Sequence, residues 1–419
     1  MKPVRFGSIR LHYLLAYAIV GAYMPYLPVF LGRDLGMPDW QIGWIAGMYG
    51  MAVILSPPIV TYLADRRFSG RSLIGLGYAL TGCALLALAL ARGFVPVLLI
   101  SVVFSMVYTP MFALLDGLTF SASAAARHDG QPVPPYDRIR VWGSLGFMIP
   151  AFVLFFALRA GAASGRAAVF AAAVAAGLGL LCVPLLPRIA PGLTAPVPTD
   201  SPSVPGVPVP SDSPAPPSAT AWDVLRRSPT RDLLIPLGLL FAAIAVFYGF
   251  YARLVLELGI DPAWVGLVMN LGVLSELPFM FAAGPLLRRF SLRSLILFGA
   301  ACLVVRMLLL ATVPDPRVTV ASQLLHGPVV VAIYLIPPMY LNLKAPAGAR
   351  NSVQGLYAML CFGVARLLGS VAGGYAAGFG LAWAFGLGAV LAAAALLWLW
   401  LRFFDPAADT SLRSPLSRP

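Results

Sequence analysis

RRFSGRSLI, running from Arg66 to Ile74, returns 222 positions later as RRFSLRSLI, from Arg288 to Ile296, with a single mismatch. Each copy closes one long apolar segment and opens the next. A nine-residue block that recurs at the same point of an apolar–loop–apolar pattern marks two related halves, and the fold follows from what those halves contain.

Working outward from the two copies, twelve stretches of about 20 apolar residues, the length that crosses a ~30 Å hydrocarbon core, start near Leu11, Gln41, Leu73, Val95, Ile139, Ala167, Leu233, Ala263, Leu295, Val318, Ser352 and Leu381. The chain has 419 residues, 60% hydrophobic and 11% charged, with a mean hydropathy of +0.86. No soluble core uses that much apolar sequence. The expected fold is an all-α membrane protein of about twelve transmembrane helices in two parallel six-helix repeats, an arrangement shared by many secondary transporters. The halves are expected at 1–187 and 231–404, joined by a cytoplasmic segment 188–230 and followed by a tail at 405–419. Within the join, APGLTAPVPTDSPSVPGVPVPSDSPAPPSAT has the Pro and Ser content of a flexible or polyproline-like tether.

Charge sets the orientation, because loops that stay cytoplasmic keep Lys and Arg. With both termini inside, twenty of the 29 Lys and Arg residues fall on the cytoplasmic side, and only Arg33, Arg92, Arg159, Arg166, Arg253 and Arg317 fall on the other. Arg140, Arg306 and Arg366 lie within apolar segments. The expected location is a bacterial inner membrane, and the expected partners are the lipid bilayer, protons and a small-molecule substrate, with the chain a monomer. The same distribution accounts for the net charge of +13, so nucleic acid is not an expected partner. No small-residue cleavage site follows GAYMPYLPVFL, so the first apolar stretch is expected to be a retained helix. Cys83, Cys182, Cys302 and Cys361 are isolated from one another without metal-type spacing, and no cofactor is expected. Paired acids, a nucleophile with its base, or a metal cluster at workable spacing are missing from the sequence, which argues against an enzyme.

An ionisable group in hydrocarbon costs at least a few kcal/mol and is kept for a reason. Those groups are Asp116 in the fourth segment, Arg140 in the fifth, Glu276 in the eighth, Arg306 in the ninth, His326 in the tenth and Arg366 in the eleventh. They come from both halves, as expected for a site where the repeats meet. The alternative is that they pair as structural salt bridges and never touch substrate.

At these residues the chain resembles the major facilitator superfamily, and within it the branch containing lactose permease and the phenylpropionate-type transporters. Gly21 to Pro28 (GAYMPYLP) looks like the first-helix GAYxPxxP run of that branch, and Leu63-Ala64-Asp65-Arg66 followed by Gly70-Arg71 resembles the superfamily's loop signature between helices two and three. The resemblance implies that Asp65, Arg66 and Arg71 form a conformational gate at the cytoplasmic face. Leu287 stands at the position of Asp65 in the second copy. Tyr136 to Ser144 (YDRIRVWGS) is similar to the phenylpropionate-type start of helix five and puts Arg140 at a substrate-binding arginine. Glu276, Arg306 and His326 fall on the family's glutamate, arginine and histidine of helices eight, nine and ten. By resemblance, Arg140, Glu276, His326, Tyr26 and Phe147 bind substrate, while Glu276, Asp116, Arg306 and His326 serve proton coupling.

Departures bear on the solute. Val329 stands where the branch's proton-carrying acid would follow the histidine, Gly249 replaces the acid that would balance Arg366, and Phe147 and Phe279 replace two sugar-holding residues, which disfavours a galactoside. Three buried arginines against Asp116 and Glu276 leave one excess positive charge, which a monoanion would balance. With the aromatics Tyr23, Tyr26, Trp142 and Phe147 nearby in sequence, the expected activity is proton-coupled symport of a small, aromatic-type carboxylate by alternating access. The alternatives are a sugar or nucleoside symporter, a proton-driven drug antiporter, whose glycine- and proline-rich helix-five signature GSLGFMIPAF matches poorly, or a membrane sensor that binds without transporting.

Overall fold

Both copies of the nonapeptide start a helix in the same way. In the computed structural model, Ser69 Oγ accepts the Ser72 N–H at 3.2 Å and Ser291 Oγ accepts the Ser294 N–H at 3.0 Å, so each serine satisfies one of the N–H groups that a helix start leaves open. The arginine two residues further on reaches a distant carbonyl: Arg71 Nη1 donates to Leu186 O at 3.2 Å, and Arg293 Nη2 donates to Trp400 O. The repeat is therefore one of geometry as well as of sequence.

The structure describes residues 6–66, 69–161, 165–187, 221–346 and 349–405. Among them are α1 (Phe6–Asp34), α2 (Asp39–Arg66), α3 (Gly70–Leu90), α4 (Phe94–His128), α5 (Tyr136–Arg159), α6 (Arg166–Leu185), α7 (Thr230–Glu257), α8 (Pro262–Arg289), α9 (Leu292–Thr312), α10 (Pro316–Lys344), α11 (Ser352–Ala377) and α12 (Leu381–Arg402). Eleven of these are long and apolar enough to cross a membrane, and α2 matches them with 28 residues. Every expected segment start has its helix, the largest offset being that of Leu11 against Phe6. The tether at 188–220 and the tail from 406 onward lie outside the described residues.

Polar signals set several of the boundaries. Asp261 Oδ1 accepts the Ala263 N–H at 2.8 Å, and Asp315 Oδ1 accepts the Arg317 and Val318 N–H groups at 2.7 and 3.0 Å. In both places proline follows the aspartate, where its missing N–H costs nothing. The turn after Phe379 enters α12 through Gly380 at φ +124°, a region that glycine alone reaches without strain. Phe281 and Leu181 are 83% and 76% exposed. Large apolar side chains in such positions, on helices of this length, need lipid around them. The chain is a multi-pass membrane protein.

The chain divides into two units. Unit 1 holds α1 to α6 together with Ile260–Asn270; unit 2 holds α7, the remainder of α8 and α9 to α12. The grouping differs from the expected halves in Ile260–Asn270. Within unit 1, Tyr26 Oη accepts the Gly266 N–H at 3.2 Å, and Asn270 Nδ2 donates to Met148 O at 3.0 Å. The two units use glycine alike. A Cβ on Gly146 of α5 would overlap the Leu14 backbone of α1, and a Cβ on Gly369 of α11 would overlap the Ala242 backbone of α7. These are equivalent crossings in the two halves, each closer than any other residue would allow.

Candidate functional site

Helical spacing assembles the charged cluster of unit 1. Tyr13 and Tyr17 on α1, Asp116 and Thr119 on α4, and Tyr136 and Arg140 on α5 are pairs three or four residues apart, so each pair shares one face of its helix. Asp116 Oδ1 accepts hydrogen bonds from Tyr136 Oη at 2.7 Å and from Tyr13 Oη, which also lies 3.3 Å from Thr119 Oγ1. Arg140 Nη2 donates to Tyr17 Oη. The guanidinium carbon lies 4.3 Å from the Tyr17 ring centroid and 5.8 Å from that of Tyr13, within the range of cation–π attraction. Gly143 gives this arrangement its room, because a Cβ there would meet both the Arg140 guanidinium and the Tyr17 ring. Carboxylate and guanidinium thus share one tyrosine cage, in which each charge has polar partners. Asp116, Tyr17 and Arg140 are half-buried.

In unit 2 the polar side chains form a chain with a direction. Arg306 Nη1 donates to His326 Nδ1 at 2.8 Å, and its Nη2 donates to Gln323 Oε1 at 2.5 Å. The guanidinium carbon sits 3.8 Å from the Phe247 ring centroid. A guanidinium cannot accept a hydrogen bond, so His326 Nδ1 must offer its lone pair and the neutral imidazole carries its proton on Nε2. That nitrogen lies 3.2 Å from Glu276 Oε1 and 3.2 Å from Tyr248 Oη. The relay runs from an arginine that is 1% exposed, through a histidine side chain that is 6% exposed, to a carboxylate that is 21% exposed. Its open end is Glu276.

The backbone of α10 explains how His326 is held. It follows a tight turn at Ser322–Leu325 and precedes a widened, π-helical turn at Val331–Leu335. Pro337 and Pro338 have no N–H to return to the turn before them, and the Ile333 carbonyl instead accepts the Tyr357 hydroxyl at 3.1 Å. Ser275 on α8, next to Glu276, accepts the Gly327 N–H at 3.0 Å and donates to Gly272 O at 2.7 Å. The helices bearing Glu276 and His326 are therefore pinned together one residue away from each. Arg366 follows another π-helical turn, Met359–Ala365, and its guanidinium carbon lies 5.9 Å from the Tyr248 ring centroid.

The residues singled out in the sequence fall into separate places. Glu276, Arg306 and His326 meet in unit 2, and Asp116 and Arg140 meet in unit 1. Tyr26 is 1% exposed, and besides the Gly266 N–H its hydroxyl reaches Ala263 O at 3.4 Å. Phe147 is half-buried where α5 passes Gly21 of α1. Of the gate residues, Arg71 bonds to Leu186 O, while the side chains of Asp65 and Arg66 lie outside what the structure describes. Sequence reading passed over Tyr13, Tyr17, Tyr248 and Gln323, although Gln323 stands three residues before His326 and the two tyrosines of α1 stand four apart. It also passed over His12, which is fully buried with Nδ1 3.3 Å from Tyr78 Oη.

One expectation changes. Counting buried charge treated the arginines as open to an anion, yet Arg140 and Arg306 already have acceptors in their own units, and each has a carboxylate in its network. The excess charge falls to Arg366, while the donors of Arg140 and Arg306 point at groups of their own units.

Two six-helix sets built on one repeat, each with buried ionisable groups, define a secondary transporter of the major facilitator fold. The chain belongs to the MFS_1 like family, whose profile matches residues 6–387. It is 28% identical over 381 residues to the candidate nucleoside transporter YegT of Escherichia coli (strain K12), covering 85% of this chain and 80% of YegT. It is 27% identical over 368 residues to the maltose permease of Geobacillus stearothermophilus, covering 87% and 86%. Among solved structures, that of the nucleoside transporter NupG superposes with a TM-score of 0.77 at 17% identity, over 94% of this chain and 97% of that one. The relatives are transporters, not enzymes, and they divide by substrate, so membership in the family leaves the solute open.

Proposed function

We propose that the chain is a proton-coupled symporter of a neutral, hydrogen-bonding solute of the nucleoside type, working by alternating access as a monomer in a bacterial inner membrane with both termini in the cytoplasm. The observation that carries this reading is the relay Arg306–His326–Glu276. It neutralises its own buried charge and presents one partly exposed carboxylate, a group that can accept hydroxyl hydrogen bonds in its charged form and a proton in turn. The resemblance to a candidate nucleoside transporter over 85% of the chain supports the same class. In this reading Glu276 and His326 hold the solute's hydroxyl groups, Glu276 takes the coupling proton, Arg306 fixes the imidazole tautomer, and Asp116 and Arg140 hold the corresponding cluster of unit 1. A sugar is the second reading, favoured by the resemblance to a maltose permease.

Counterflow in proteoliposomes tests it. Vesicles preloaded with uridine, adenosine, maltose or phenylpropionate are given the labelled form outside. Exchange with the nucleosides alone is expected. Exchange with maltose alone would transfer the proposal to the sugar reading, and exchange with the carboxylate alone would overturn the neutral-solute argument.

A further inference from the structure

We propose that the second nonapeptide copy, with the end of α12, forms a binding site for the phosphate headgroup of an anionic phospholipid. Arg293 brings the two segments together through its bond to Trp400 O, and its guanidinium carbon lies 5.8 Å from the Phe404 ring centroid. That contact gathers Arg288, Arg289, Arg293 and Arg402 at one end of unit 2. Arg288, Arg289 and Arg402 are exposed, and among the described residues none of them makes an ion pair. Arg293 Nε, buried in the cluster, has no acceptor among the described residues.

Asp405 is held by Lys344 Nζ at 2.5 Å and by Tyr340 Oη at 2.9 Å. Leu287 stands where the first copy carries Asp65, so the acid that accompanies the first copy's arginines is missing from the second. The start of α9, capped by Ser291, adds the positive end of a 21-residue helix.

The rim of the cluster selects the class of anion. Phe290, Trp400, Leu401 and Phe404 are 44%, 61%, 61% and 67% exposed, which suits hydrocarbon and the aromatic interface layer of a bilayer. A soluble polyanion would leave that rim in water, whereas a phospholipid places its phosphate among the guanidiniums and its chains along the aromatics. This inference is independent of the solute assigned above.

The test is lipid retention by the purified full-length chain, measured by native mass spectrometry after extraction from vesicles of equal phosphatidylglycerol and phosphatidylcholine. An arginine near anionic headgroups contributes roughly fivefold to binding, so Arg288→Gln/Arg289→Gln should lower phosphatidylglycerol retention on the order of 25-fold. The exposed pair replaced in Arg226→Gln/Arg227→Gln should leave it within about twofold. Equal losses in both variants would mean diffuse surface charge and overturn the site. Displacement of the lipid by millimolar inorganic phosphate would make it a free-phosphate site and overturn the lipid assignment. Retained counterflow in both variants shows that they fold, and no lipid outcome depends on which solute is carried.

Discussion

Glu276→Gln keeps the shape of the side chain and an oxygen beside His326 Nε2, now 3.2 Å away, and removes the one charge at the open end of the relay. Losing charge assistance in that hydrogen bond costs about 1 kcal/mol, roughly fivefold in any step that depends on it. The effect on accumulation is of another order. A neutral solute carried with one proton moves one positive charge, for which 100 mV supplies about 2.3 kcal/mol, enough to hold about a fiftyfold gradient. Without a group to carry the proton, the ratio should fall to about one while exchange persists within about fivefold. Proteoliposomes under a potassium diffusion potential, negative inside, measure accumulation of labelled uridine, and counterflow without a gradient measures exchange. The same vesicles report the charge of the solute, because a monoanion moving with one proton is electroneutral and would respond to a pH gradient but not to the potential. Accumulation by Glu276→Gln at the wild-type ratio would refute the coupling assignment and turn attention to Asp116.

Two further predictions concern stability. Arg306→Met and His326→Leu, singly and together, should show a coupling energy of about 1 kcal/mol in a denaturant-unfolding cycle, since charged hydrogen bonds contribute roughly 1.5–3 kcal/mol in water-soluble proteins but polar pairs within membranes average nearer 0.6; a value under about 0.3 would mean that the 2.8 Å contact carries no net energy. Gly369→Leu, which would drive a side chain into the Ala242 backbone, should cost about 3 kcal/mol, whereas Gly249→Ala, with nothing within 4 Å of the new Cβ, should be neutral or up to about 1 kcal/mol more stable; thermal unfolding in detergent separates the two, and equal losses would contradict the crossing geometry.

The fold was legible because its signals are local. Twenty apolar residues identify a span without knowledge of its neighbours, and a repeated nonapeptide identifies two halves. The grouping of Ile260–Asn270 with unit 1 was not legible, because Asn270 to Met148 O and the Gly266 N–H to Tyr26 are contacts between residues more than a hundred positions apart. The π-helical turn beside His326 was only partly legible. Pro337 and Pro338 announce that carbonyls will be left over, but the answer to the Ile333 carbonyl comes from Tyr357, on another helix.

Charge in the site was legible as a sum and not as a wiring diagram. Six buried ionisable positions could be named from sequence, and the structure brings five of them into two networks. Their use is decided by donors and acceptors that carry no formal charge: Tyr13, Tyr17 and Tyr136 stand between Asp116 and Arg140, and His326 stands between Arg306 and Glu276. Arg140 and Arg306 read as anion sites when donors are counted as free, and as internal partners once a tyrosine or an imidazole accepts from them. That difference moves the proposed solute from a carboxylate to a neutral molecule. The relay also makes a physical demand of its own. Arg306 holds His326 in the Nε2–H form only while Nδ1 remains an acceptor, so a proton arriving from the open end meets Glu276 first, and the imidazole can become doubly protonated only by giving up its bond to Arg306. The carboxylate is thereby the group best placed to load and release a proton without dismantling the cluster that positions it.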